Sequence, residues 1–135
     1  MLKRNIHGLF VTLVMLLVAG CGSVEISRGT FDGDAARDPI NALLPGQLPD
    51  EADELYYSFD EGQTMAVMIL RLPAAQVDDF LAQNNYCVGL PLEENTDMGL
   101  ASGQCTEDGT IYSITVDRTN PDVHVVQYGL IYEQR

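Results

Sequence analysis

The sequence predicts an α+β fold, a small antiparallel sheet of about five strands in the order ββαβββ, with one helix packed on a face and a disulfide as staple. Three observations predict it. From residue 51 onward, short runs rich in valine, isoleucine and tyrosine are separated by turn residues. A single stretch, Ala74 to Gln83, carries its apolar residues at helical spacing instead. Two of the turns, Asp60-Glu61-Gly62-Gln63 and Thr106-Glu107-Asp108-Gly109, are tight enough for hairpins, so a single antiparallel sheet with a helix laid across it is the economical arrangement.

Taken in order, Leu55–Phe59 and Thr64–Leu72 form the first hairpin. The second of these runs, TMAVMILRL, is apolar on both faces up to Arg71, the pattern of a central strand covered on each side. Pro73 opens a helix in which Ala74, Val77, Phe80 and Leu81 recur as a narrow stripe while Asp78 and Asp79 face out. Asn84-Asn85 ends it. Residues 86–99 read as a long connection, followed by a strand around Cys105. Asp108-Gly109 readily takes the positive φ angles of a type I′ turn. The last strands are Ile111–Asp117 and Val123–Glu133, in which Tyr112, Ile114 and Val116 share one face, as do Val126, Tyr128, Leu130 and Tyr132.

Residues 1–50 have a different character. Lys3 and Arg4 precede the apolar run Leu9–Val18, which is interrupted only by Thr12 and followed by Gly20, Gly22 and Ser23. A bilayer-spanning helix needs about 20 apolar residues, roughly twice this run, so the segment reads as an export signal. Val18-Ala19-Gly20-Cys21 resembles the lipobox of bacterial lipoproteins, an aliphatic residue and two small ones before a cysteine. The resemblance covers the first 21 residues. It implies that Cys21 receives a diacylglyceryl thioether, that the leader, residues 1–20, is cut off after Gly20, and that the new amine is acylated. Several acyl chains, each contributing about 0.8 kcal/mol per buried methylene, imply a firm membrane anchor. Gly22, in place of the aspartate associated with inner-membrane retention, leans toward the outer membrane, facing the periplasm, if the source is double-membraned. Residues 21–50 then form the lipidated N-terminus and a tether with four glycines and three prolines after Cys21, with a root-mean-square reach on the order of 30 Å. Within it, Pro39–Leu48 is apolar enough to dock on the domain. Residues 51–135 are the compact unit.

Loss of residues 1–20 leaves five arginines, no lysine and all twenty acids, a net charge of −15. Such a chain does not bind nucleic acid by neutralising phosphates. Its acids are scattered along the chain, a pattern that favours solubility over a docking patch. With Cys21 acylated, Cys87 and Cys105 remain in an oxidising compartment and are expected to pair. Closing that loop stabilises by about 3 kcal/mol in the chain-entropy picture. Two thiols eighteen apart complete neither a zinc set nor a C-x-x-C redox motif.

Residues with chemistry to offer are few. His124 is the one histidine beyond the leader, with Ser113 as a candidate partner across the sheet, but no nucleophile-elbow motif occurs. Asp78-Asp79 and Glu93-Glu94 are the carboxylate pairs. Asp32-Gly33-Asp34 with Asp38, and Glu93 to Asp97, are acidic loops short of the calcium-loop spacing. No cofactor motif is found. The sequence therefore leads to the expectation of a lipid-anchored envelope module that binds or scaffolds an envelope protein through a sheet face or edge, with Tyr56, Tyr57, Tyr112, Tyr128 and Tyr132 as candidate contact residues or ordinary sheet filling. A small hydrolase using carboxylates, or a calcium-binding lipoprotein, is the alternative.

Overall fold

A computed structural model describes residues 29–60, 62, 64–87 and 90–133. Its elements are β1 (Gly29–Asp32), a 3-10 turn (Gly33–Ala36), α1 (Arg37–Leu43), β2 (Asp53–Phe59), β3 (Met65–Pro73), α2 (Ala74–Gln83), β4 (Glu93–Asn95), β5 (Leu100–Glu107), β6 (Thr110–Asp117) and β7 (Val123–Tyr132). All strands join one antiparallel sheet in the order β1-β2-β3-β7-β6-β5-β4.

The sheet thus has seven strands where five were expected, and the described residues hold two α-helices where one was expected. Both additional strands lie at the edges. β1 comes from a glycine-containing stretch with no run of alternating apolar residues, and β4 is an acidic tripeptide exposed at every position. Each joins through backbone pairing, which leaves no signature in side-chain pattern. The stretch expected as a tether also contributes to the domain from Gly29 onward. Ala36, Ile40, Leu44 and Leu48 are buried in the same core as the sheet. Their spacing of four is helical through Leu44, but the prolines and glycines around them hide it. Arg37 fixes this segment by donating to the carbonyls of Pro49 and Ala52 at 3.2 and 2.7 Å.

The expected hairpins form. Asp108 and Gly109 both have positive φ, 50° and 76°, and join β5 to β6. The turn between β2 and β3 is tied by Asp60, whose Oδ1 accepts from the amides of Thr64 and Met65 at 2.6 and 2.9 Å, while the Thr64 hydroxyl donates to Oδ2. β2 carries one extra residue against β3 between Asp53 and Tyr56, with Glu54 at φ 48°. This bulge lets Arg71 bridge Asp53 and Glu54, both at 2.7 Å.

Burial alternates along β3: Ala66, Met68, Leu70 and Leu72 are buried, and the residues between them are not. Their partners on β7 and β6, among them Val126, Tyr128, Leu130, Ile114 and Val116, continue the same face. Val77 and Phe80 of α2 and Ile40 of α1 pack on it. Full burial of each such side chain stabilises by about 1.5–3 kcal/mol. The opposite face contributes nothing to this cluster. β3 was expected to be covered on both sides, and among the described residues it is covered on one.

Candidate binding surfaces

Cys87 and Cys105 form a disulfide, with Cα atoms 6.5 Å apart. It pins the connection after α2 to β5. Farther along, that connection crosses so close to β5 that a Cβ at Gly103 would lie 3.0 Å from the Pro91 carbonyl oxygen. Beside the disulfide, Tyr86 stacks on Tyr112 with ring centroids 4.6 Å apart and donates its hydroxyl to the Leu43 carbonyl at 2.7 Å. Burial raises the Tyr86 and Tyr128 phenols well above the ordinary tyrosine range.

Asn84, where α2 was expected to stop, does more than stop it. The side chain is fully buried. Its Oδ1 accepts from the Gly46 amide at 2.9 Å, its Nδ2 donates to the Phe80 carbonyl at 3.0 Å, and its own carbonyl accepts from Tyr128 at 3.2 Å. One residue thereby joins the loop after α1, the end of α2 and the central strand β7. Nothing in the Asn-Asn pair distinguishes which asparagine turns inward.

The covering helices stop short of one end of the inner face. There Phe59, Ala66 and Leu130 lie side by side on β2, β3 and β7. The small Ala66 leaves a trough of about 350 Å³, lined by Leu43, Tyr57, Phe59, Met65, Ala66 and Tyr132. Burial raises the Tyr57 and Tyr132 phenols, and the nearness of Tyr57 raises Tyr132 further. Neither hydroxyl has a hydrogen-bond partner among the described residues. Phe31, Tyr57 and Phe59 form a continuous aromatic wall, with successive centroids 6.0 and 5.7 Å apart.

The outer face is the second surface. Met65 and Ile131, paired across β3 and β7, are each 47% exposed, and Ile111 continues their row on β6. Val67 and Ile69 follow on β3, opposite Gly129 and Gln127. From the Met65 row to the Ile69 row, across β2, β3, β7, β6 and β5, no outward position is charged. Charge returns at the flanks, with Asp32 on β1 and Glu93 on β4 at the ends of the Ile69 row, and in the next row with Arg71 and Asp117. In a chain with twenty acids this is an unusual expanse. Sequence pattern did contain the signal, the apolar second face of TMAVMILRL, but could not say that it stays bare.

The other candidate residues do not converge. His124 lies on the inner face opposite Leu72, whereas Ser113 lies on the outer face and its hydroxyl donates to the Gly129 carbonyl at 3.3 Å. The two cannot form a nucleophile and base. Asp78 and Asp79 are exposed on α2, and Glu93 and Glu94 point to opposite faces of β4. Arg118 bridges Glu94 and Asp78 at 3.0 and 3.7 Å. Among the described residues no three histidine, cysteine, aspartate or glutamate side chains cluster as a metal site, the acidic loops at Asp32–Asp38 and Glu93–Asp97 included. No described helix is long and apolar enough to cross a membrane. Cys21 and the leader lie outside the described residues. The chain matches no protein-family model, no curated protein and no solved structure.

Proposed function

We propose that the protein is a lipoprotein of the bacterial envelope, anchored through Cys21 (to the outer membrane, if the cell is double-membraned), whose domain is a binding or scaffold module. Its contact surface is the outer sheet face, and its partner is another envelope protein. The observation that carries this reading is the uncharged face bearing Met65, Val67, Ile69, Ile111 and Ile131. Exposed apolar surface of this kind, rimmed by polar residues, is characteristic of interaction sites. The face is favoured over the sheet edges because both are short, and β4 guards its edge with Glu93 and Glu94. It is favoured over a basic contact because Arg37, Arg71 and Arg118 are engaged within the domain.

The test has two arms, both on the full chain in a double-membraned host. Intact mass of the purified protein reports removal of residues 1–20 and acyl addition at Cys21; an unprocessed chain without acyl groups refutes the anchor. Photocrosslinking in intact cells from Gln127, on the face, should give a discrete protein adduct that Ile131→Glu abolishes. The same probe at Asp79 on α2 should give none. Equal adducts from both positions, or none from Gln127, refute the contact face.

A further inference from the structure

We propose that the trough at the open end of the inner face is the seat of one acyl chain carried by Cys21, so that the domain holds part of its own anchor. This rests on the lipoprotein reading of Cys21. The trough lies on the inner side of the sheet and meets the outer face only at Met65. No charged residue lines it, its floor is Ala66, and its walls are the rings of Phe59, Tyr57 and Tyr132. Its volume of about 350 Å³ is at the lower end of the range for ligand pockets. That suits one slender apolar chain and not a bundle of them. The Tyr57 and Tyr132 hydroxyls, without partners among the described residues, are donors for the carbonyl oxygen at the head of such a chain.

The path of the polypeptide selects this occupant over other apolar ones. β1 enters the sheet at the trough itself: Gly29 pairs with Phe59, and the Phe59 ring fills the space that a Cβ on Gly29 would need. Glycine at that position allows the entering backbone to lie against the wall of the trough. Cys21 is eight residues upstream of Gly29, a distance of at most about 28 Å even when fully extended. A group tethered that closely is held at an effective concentration that a free lipid or a partner protein has to exceed. An acyl chain on Cys21 is therefore the nearest apolar ligand the trough will meet. With one chain withdrawn into the domain, the remaining chains hold the membrane, and the trough end is turned toward it.

The test uses the full chain in a double-membraned host, with p-benzoylphenylalanine, which inserts into aliphatic C–H bonds, replacing Leu43 at the end of the trough. After irradiation of intact cells, mass spectrometry of the digested protein should find the Leu43 peptide joined to the acylated Cys21 peptide. The probe at Gln127, on the outer face, should give no such product. Ala66→Leu, which fills the floor, should reduce the yield several-fold while the Cys87–Cys105 bond still forms, reporting an intact fold. If Cys21 is acylated but the Leu43 probe joins a free lipid, another protein or nothing, the trough proposal is overturned and the lipoprotein reading stands. If Cys21 carries no acyl group, both fall.

Discussion

Asn84 and Asp60 show how single polar side chains set the shape of the domain. Truncating Asn84 to alanine leaves the half-buried Gly46 amide without its acceptor and removes the buried bond to Phe80. A buried group left unsatisfied costs about 1–3 kcal/mol, so Asn84→Ala should lower the unfolding free energy measured in urea by about that amount. A change below 0.5 kcal/mol, on the scale of an ordinary surface substitution, would mean that the loop after α1 is held by its apolar contacts alone. Asp60 makes its contribution through charge. The Thr64 hydroxyl, followed by the Met65 amide, holds its carboxyl below the usual carboxylate range. Because the folded value is the lower one, the stability it contributes is complete above the unfolded pKa, about 4, and is lost as pH falls through the folded value. Asp60→Asn should therefore be less stable than the parent at pH 7, with the gap closing in acid. A gap that stays constant into strong acid would assign the loss to geometry and not to ionisation.

At the scale of elements, β7 offers the sharpest contrast, because neighbouring residues on it meet opposite environments. Leu130 is buried on the inner face and Ile131 is half exposed on the outer face. Leu130→Glu should abolish folding, since an unpaired buried carboxylate costs several kcal/mol. Ile131→Glu should leave the far-ultraviolet circular dichroism unchanged and shift stability by less than about 1 kcal/mol. Equal damage from both would mean that the outer face is part of the core. This alternation, together with the two tight hairpins, α2 and the cysteine pair, was legible in the sequence because each rests on local periodicity or turn chemistry. β1 and β4 were not, because an edge strand of three or four residues is defined by the neighbour it pairs with. α1 was obscured for a similar reason. Its buried Ile40 and the flanking Ala36 and Leu44 keep helical spacing, but they sit in a proline- and glycine-containing stretch that composition assigns to a linker. The trough was illegible altogether, since it arises from where two helices end over a sheet whose strand order local pattern does not give.

For the whole molecule, the sheet is two meanders, β1-β2-β3 and β4-β5-β6, joined only through β7. The disulfide spans residues 87–105 and so fixes the second meander to the connection that leaves α2. Reduction should cost about 3 kcal/mol, and the thermal midpoint should fall accordingly; an unchanged midpoint would show that the sheet fixes that connection unaided. The place of β7 has a consequence for biosynthesis. Of the described strands, the last to be synthesised is the one on which both halves close, so the hydrogen-bonded sheet is complete only once β7 has been made. Neither meander alone carries the whole inner face, so closure of the core waits for that strand.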